Sequence, residues 1–327
     1  MIKFSSNFAD FDEFTEAAAA WDIDFRQTGK GKLNASLVQL VSENWSVSKA
    51  RFDQASHQSG IAVPGMRTFA FLGTSAPEVS FCNRSFVPGT LAVFAPSGEF
   101  RSISPPGFDV YTISFTENQL ELACERLDVA GMADKLPSVD AMFQRDPLQT
   151  EMMGQFLNRC LQQEFVLPSS ANPMDTSNHV RDKICEKLVL LLSGGTPIRR
   201  TPKQKTQLRA FSRALEIIDS NLAANLSVPE IANSAGMSRR SLEYTFRDRM
   251  GVGPKAYVIT QRLIQVRREI KSSRGSVTIT DIANRWGFWH MGQFAKDYKL
   301  QFGELPSQTR AEVNALKRGH GEDVSSN

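Results

Sequence analysis

Two stretches near the C-terminal end decide how this chain is read: SVPEIANSAGMSRRSLEYTFRDRM at 227–250 and TITDIANRWGFWHMGQFAKDYKLQFGELP at 278–306. In the first, Ser227 stands where a helix N-cap is favoured, and Pro229 falls in the first turn, where a missing N–H costs nothing. Ile231, Ala232 and Ala235 make an inward face, and Gly236 ends the helix at a turn that favours positive φ. Ser238 then caps a second helix with Leu242 and Phe246 as i,i+4 partners. The second stretch repeats the pattern. Asp281, Ile282 and Ala283 stand for Glu230, Ile231 and Ala232, Gly287 for Gly236, Phe294 for Leu242 and Tyr298 for Phe246, with the two glycines 51 residues apart. A helix, a glycine turn and a capped second helix let a recognition helix enter a DNA major groove. Between the copies, Ala256, Ile259, Leu263, Val266 and Ile270 recur at steps of three and four and predict one long helix over about 254–272. Such a strut can hold two recognition helices in successive major grooves, about 34 Å apart on one face of B-DNA.

Charge points to the same end. From Arg199 to Arg318 there are 22 Lys and Arg against 10 Asp and Glu, a balance of +12, whereas residues 1–198 carry 16 against 23, a balance of −7. Basic charge gathered at one end suggests a polyanionic partner there. The 327 residues exceed one ordinary core, and a 41% hydrophobic, 22% charged composition is that of a soluble globular protein. No apolar run reaches the roughly 18–20 residues of a membrane helix, and MIKFSSNFADFDEF lacks the pattern of a secretory signal. Cys82, Cys124, Cys160 and Cys185 are widely spaced. They read as small buried apolar residues in a reducing cytoplasm, not as a metal knuckle or disulfide framework. No cofactor or metal is expected: the nucleotide and nucleophile motifs are absent, and His57 is alone in its half of the chain until His179.

Residues from about 35 to 115 read as strands. LVQLV, SVSKARF, MRTFAFLG, TLAVFAP and FDVYTISF are rich in Val, Phe, Thr and Tyr and are separated by PG, PSG and PPG turns. Short strands at this spacing suggest a small barrel or jelly roll. Thr116 and Gln119 then suggest a capping box opening a helix, and further helices are expected at about 147–166 and 175–193. GGTPIRRTPKQKT (194–206) reads as a linker, and Leu208, Phe211, Leu215 and Ile218 as the stripe of the next helix. The expected class is α+β, with an effector-binding and dimerisation domain over 1–193, a linker over 194–206, an all-α DNA-binding domain over 207–316 and a tail over 317–327.

The blocks IANSAGMSRRSLEYTFR, GVGPKAYVITQRL and DIANRWGFWHMGQFAKDYKLQFGELPSQT resemble the AraC/XylS family of transcription regulators, most closely its XylS-like branch. The likeness covers about 208–312. The strand-rich segment is similar, more loosely, to the cupin-like effector domain of that family. The resemblance implies a double-stranded DNA operator, a small-molecule effector, RNA polymerase if the protein activates, and a homodimer. It places base contacts of the first motif on Arg240, Glu243 and Tyr244, with Ser238 as cap and Arg239 and Arg247 nearby. Arg suits guanine O6/N7 and Glu suits cytosine N4. In the second motif the matching positions are His290, Met291, Gly292, Gln293 and Lys296. Here the chain departs from the family pattern. His290 replaces the usual Ser or Thr cap, and Met291 and Gly292 offer few hydrogen bonds, so this motif is expected to dock more than to read. Trp286, Phe288 and Trp289 read as packing residues.

For the N-terminal domain, an apolar barrel interior can hold one small ligand. Trp45, Phe69 and Phe94, with Phe52, Phe71 and Tyr111, are candidate lining residues. Arg51 and Arg67 are candidate partners for an organic acid, His57 is a further candidate, and an aromatic effector is the other option. The apolar stripe Val180, Ile184, Leu188 and Leu191 of the 175–193 helix is read as a dimer contact, because regulators of that family often bind paired half-sites; packing on the barrel of its own chain is the alternative. The rival functions are a cupin-type enzyme, which would need a histidine set that the segment lacks, and a ligand-independent DNA-binding protein whose first domain only dimerises.

Overall fold

The Val-, Phe- and Thr-rich segments do pair as strands, and they do so in one sheet of a computed structural model that describes residues 1–327 except 19, 97, 130–135, 138–139, 163–172, 199–201, 225, 274–276 and 323–327. The side chains of 173–176, 202–205, 207–208 and 316–322 are also outside the description. The chain divides into two units, Met1–Phe25 with Asn34–Arg199, and Arg26–Leu33 with Arg200–Asn327. Among the described residues no helix is long and apolar enough to cross a membrane.

The first unit is built on strands β1 (Ile2–Phe8), β2 (Asp22–Gln27), β3 (Ala35–Val41), β4 (Trp45–Phe52), β5 (Ser56–Ile61), β6 (Arg67–Leu72), β7 (Val79–Phe81), β8 (Arg84–Phe86), β9 (Thr90–Val93), β10 (Glu99–Ser104), β11 (Phe108–Phe115), β12 (Ala141–Gln144) and β13 (Thr196–Pro197). An eight-stranded sheet runs β1-β3-β4-β11-β6-β9-β12-β13, and a five-stranded sheet runs β2-β5-β10-β7-β8. The expected barrel is therefore not closed: the strands part into two antiparallel sheets. Four helices accompany them, α1 (Phe11–Ala17), α2 (Glu117–Arg126), α3 (Pro147–Gln162) and α4 (Pro173–Ser193). The end of the expected 147–166 helix falls outside the described residues.

Side chains alternate across a strand, and the eight-stranded sheet uses both faces. Odd-numbered residues of β4, β6 and β11, among them Trp45, Val47, Phe69, Phe71, Tyr111 and Ile113, join α2, α3 and α4 in one continuous core. Cys160 and Cys185 belong to it, and burial pushes both thiols up to about 12. The α2 capping box does not form. Thr116 N donates to Asn44 O at 3.3 Å, so its N–H is already satisfied and Gln119 has nothing to reach back to.

The stripe on α4 is core. Val180, Ile184, Leu188 and Leu191 are all buried among their own chain's residues, which overturns the reading of this stripe as a dimer contact. Within the expected linker 194–206, β13 takes Thr196–Pro197 and the next helix starts at Pro202. Changing Ile184 and Leu188 together to Glu should abolish the cooperative thermal transition of this unit, because two carboxylates cannot be buried there without partners. Circular dichroism and sedimentation check this; a well-folded monomer would restore the interface reading.

The second unit is helical: α5 (Pro202–Ser220), α6 (Val228–Ala235), α7 (Arg239–Met250), α8 (Pro254–Ser272), α9 (Ile279–Arg285), α10 (Met291–Phe302) and α11 (Pro306–Glu322). α11 thus runs through the first half of the segment read as a tail. The side chain of Leu208 is outside the description, but Phe211, Leu215 and Ile218 are buried as the stripe requires. Phe211, Phe246 and Tyr257 form an edge-on aromatic chain with centroids 5.2 and 5.4 Å apart. A second core joins Leu263, Val266 and Ile270 of α8 to Ile282, Phe294, Tyr298 and Phe302. Ala256, expected on the inner stripe of α8, is exposed, and its neighbour Tyr257 is buried instead. Within the same unit Arg26 pairs with Asp219 at 2.5 Å, and Gln301 Nε2 donates to Gly29 O at 2.7 Å.

Candidate functional site

Each repeat starts from the same local chemistry. Ser227 N donates to Glu230 Oε2 at 2.8 Å, while Glu230 N donates back to Ser227 Oγ at 3.4 Å. Thr278 and Asp281 repeat this at 3.3 and 3.1 Å, so both first helices open with a capping box. Donation from Ser227 holds the Glu230 carboxyl below the usual range, and donation from Thr278 does the same for Asp281. A depressed carboxyl adds stability above its unfolded-state pKa and loses it as pH falls through the lowered value. Helical signal of this unit should therefore weaken on acidification below the ordinary carboxylate range, and less so in a Glu230→Gln, Asp281→Asn double variant. A pH titration followed by circular dichroism checks this.

The turns then diverge. Gly236 and Gly287 both hold left-handed backbone, with φ of 71° and 81°, and no Cβ-bearing residue adopts that without strain. α7 starts three residues after Gly236, whereas α10 starts four after Gly287, so the second turn has one residue more. Trp289 sits in that longer turn and is 72% exposed. This corrects its reading as a packing residue. Trp286 and Phe288 do pack against the second core, and Trp286 Nε1 donates to Glu269 Oε2 at 2.9 Å.

On α7, Ser238 caps by accepting from Ser241 N at 3.1 Å. Leu242 and Phe246 are buried, which turns Arg239, Arg240, Tyr244 and Arg247 outward and leaves Glu243 half-buried. Arg239 bonds Glu243 at 3.0 Å along the helix. Arg240 and Arg247 make no ion pair among the described residues, and Tyr244 is 70% exposed. On α10, His290 occupies the N-cap without a side-chain cap bond. Gly292, Gln293 and Lys296 are exposed, and Gln293 Nε2 is turned back to Asp297 Oδ1 at 2.8 Å. Met291 is half-buried against the second core.

Residues that the sequence reading missed tie the motifs together. Arg262 of α8 donates to Leu222 O at 2.8 Å and Ala224 O at 2.7 Å, and its guanidinium lies 3.1 Å from where a Cβ on Gly287 would stand. Glu269 pairs with Arg285 as well as Trp286. Glu304 accepts from Arg267 at 2.9 Å and from Thr309 at 2.8 Å. The [ST]xx[DE] spacing at Ser227 and Thr278 was a legible signal for the boxes; nothing local in the sequence marks Arg262 as a clasp. Arg262→Met should cost about 1–3 kcal/mol, the price of leaving two carbonyls without their donor, read as a lower urea midpoint for this unit.

In the first unit a pocket lies between the two sheets, with an empty volume of about 670 Å³ including open space at its mouth. Trp21, Phe81, Phe94 and Phe100 contribute rings to it, with Phe94 and Phe100 edge-on at 4.9 Å. Of the nine residues singled out for an effector, Phe94 alone lines it. Trp45 and Phe69 belong to the helix-covered core on the opposite face. Arg51 is exposed and bonded to Asp109 at 2.7 Å; Arg67 is buried and held by Glu117 at 2.7 Å and Pro137 O at 2.7 Å. His57 is buried on β5, one residue from Gln58, which does line the pocket. Phe71 and Tyr111 stack on each other at 5.0 Å in the helix-side core, and Phe52 lies among Phe11, Phe14, Phe25 and Phe108.

A family profile described as a helix-turn-helix domain matches residues 231–312. The chain is 40% identical over 101 residues to a XylDLEGF operon transcriptional activator of Pseudomonas putida, covering 31% of this chain and 32% of that one. It is 33% identical over 96 residues to a probable thc operon regulatory protein of Rhodococcus erythropolis, covering 29% of each. The chain thus matches about a third of the length of these curated relatives. A crystal structure of the AraC-like transcriptional activator CuxR is similar over 82% of this chain and 96% of its own, at 13% identity and a TM-score of 0.43.

Proposed function

Because residues 231–312 form a helix-turn-helix domain of the AraC/XylS type, we propose that the whole protein is a sequence-specific DNA-binding transcription regulator of the bacterial cytoplasm. One observation carries this reading: two helix pairs, each opened by a capping box and turned at a left-handed glycine, flank a single helix α8 and turn polar residues of α7 and α10 to solvent. α7 and α10 then enter successive major grooves of one DNA face. The Pseudomonas relative is an operon activator, which favours activation here, with RNA polymerase as second partner. The first unit, a cupin-like sensor in this reading, makes the response depend on a small effector. Two chains on adjacent half-sites would pair through some surface other than the α4 stripe.

In the first motif Arg240 reads a base and Arg247 grips phosphate, since the N-terminal end of a recognition helix lies deepest in the groove. Glu243 is held by Arg239 in the free protein and has to exchange that partner to accept from cytosine. In the second motif Lys296 and His290 serve phosphates, and Trp289 and Gly292 give close apolar approach to sugar or thymine methyl groups.

The full-length protein, tested by fluorescence anisotropy on an operator obtained by in vitro selection, should lose about 10³-fold in affinity between 50 and 200 mM salt, as about six phosphate contacts imply. Arg240→Ala should cost about 1–3 kcal/mol on the operator and little on scrambled DNA, while Arg247→Ala weakens both alike. Salt-independent binding, or equal losses for Arg240→Ala on the two DNAs, would contradict the assignment.

A further inference from the structure

The pocket between the sheets is lined by aromatic rings and by two short polar rows, and these rows carry no charge. On the eight-stranded sheet Gln39 pairs with Ser48, and Ser48 with Thr112, in one line across β3, β4 and β11. On the five-stranded sheet Gln58 pairs with Ser102 across β5 and β10. All five line the cavity, and no Lys, Arg, His, Asp or Glu is among its lining residues. Strand alternation explains the exclusion. Ser48 and Ala50 point in, so Lys49 and Arg51 between and after them point out. Lys49 is spent on the other face, on Tyr111 OH at 2.5 Å and Asn158 Oδ1 at 2.9 Å.

The amide orientations add a direction. Gln39 Nε2 donates to Ala17 O at 3.0 Å, and a carbonyl can only accept, so the amide group cannot be reversed. Gln58 Nε2 is bonded to Ser56 Oγ at 3.0 Å and Ser104 Oγ at 3.1 Å. Gln39 Oε1 has no partner among the described residues, although its side chain is buried, whereas the Gln58 amide meets only hydroxyls, which donate or accept, and can face either way. An unused acceptor in an aromatic pocket asks for a guest that donates. A carboxylate would enter without a cation and beside that acceptor, and the Ser48, Thr112 and Ser102 hydroxyls alone would repay little of its desolvation cost.

We propose that this cavity binds an uncharged, largely aromatic molecule bearing a hydrogen-bond donor, of the phenol or aromatic N–H class, and excludes organic acids. Its role as an effector site rests on the regulator reading above; the binding itself does not.

The test uses the full-length protein and four para-tolyl probes of one shape: p-cresol, 4-methylanisole, p-toluate and 4-methylbenzylamine, titrated at neutral pH by calorimetry and by tryptophan fluorescence, to which Trp21 reports. p-Cresol should bind saturably, the methyl ether about ten-fold more weakly for want of its donor, and the two ions not at all over the same range. Gln39→Leu should weaken p-cresol about ten-fold and leave the ether unchanged, and Ala70→Phe, which fills the pocket, should remove both. If Gln39→Leu does not fold, the probe series on the native chain decides alone. Binding of p-toluate as tight as that of p-cresol, equal affinity for phenol and ether, no binding of p-cresol, or p-cresol binding untouched by a folded Ala70→Phe protein each overturns the proposal. A separate measurement of operator affinity with and without p-cresol judges the effector role: binding without any change in DNA affinity refutes that role and leaves the ligand class standing.

Discussion

The second unit depends on one helix serving two cores. α8 contributes Tyr257 to the first aromatic chain and Leu263, Val266 and Ile270 to the second core, and all four are buried. Its 19 residues make a rod about 28 Å long at 1.5 Å per residue. α7 and α10 are each fixed to one part of this rod by a buried i,i+4 pair, Leu242 with Phe246 and Phe294 with Tyr298. Neither motif can tilt without opening a core. Arg262 and Glu269 then pin the turns around it with bonds that only this geometry satisfies. A spacing fixed by packing, not by a flexible link, is what simultaneous engagement of two grooves requires.

How much was legible depended on where each residue's partner lay. The helix-turn-helix pairs were readable because cap, inward face, glycine and second cap fall within about 20 residues of one another, and because the pattern occurs twice. In the first unit the five strands seen in the sequence, β3, β4, β6, β9 and β11, all belong to the eight-stranded sheet. The five-stranded sheet went unread. Its strands SHQSGI and EFRSIS are polar, and VSF and RSF have three residues each, too few to show alternation. What stabilises them is the second sheet's inner face, which no local pattern announces.

The effector candidates other than Phe94 lie away from the pocket for a related reason. Arg67, Phe69 and Phe71 share one parity on β6 and must share one face, which the sequence did show. Whether that face looks at a cavity or at covering helices depends on what packs there, and α2, α3 and α4 took it. Ala70, between two phenylalanines, is the residue that faces the pocket. Small and polar side chains on the even positions of β4 and β11 were the true sign of an interior with room in it. Large aromatics mark filled space more often than empty space.

The two motifs share a frame but not a chemistry, and the frame explains why that is tolerable. α7 turns Arg240, Arg247 and Tyr244 outward, with no partner among the described residues, a set able to form directional bonds to base edges and phosphates. α10 buries half of Met291, leaves Gly292 bare and ties Gln293 to Asp297, so few free donors remain at its leading end. The longer turn adds Trp289 to solvent beside His290. In the proposed function α8 fixes their separation, so base reading by one helix would set the register of both, and the second would need only to fit the groove's shape and grip its backbone. An exposed indole next to a residue without a side chain suits that task, because close approach there is limited by neither a Cβ nor a solvated charge.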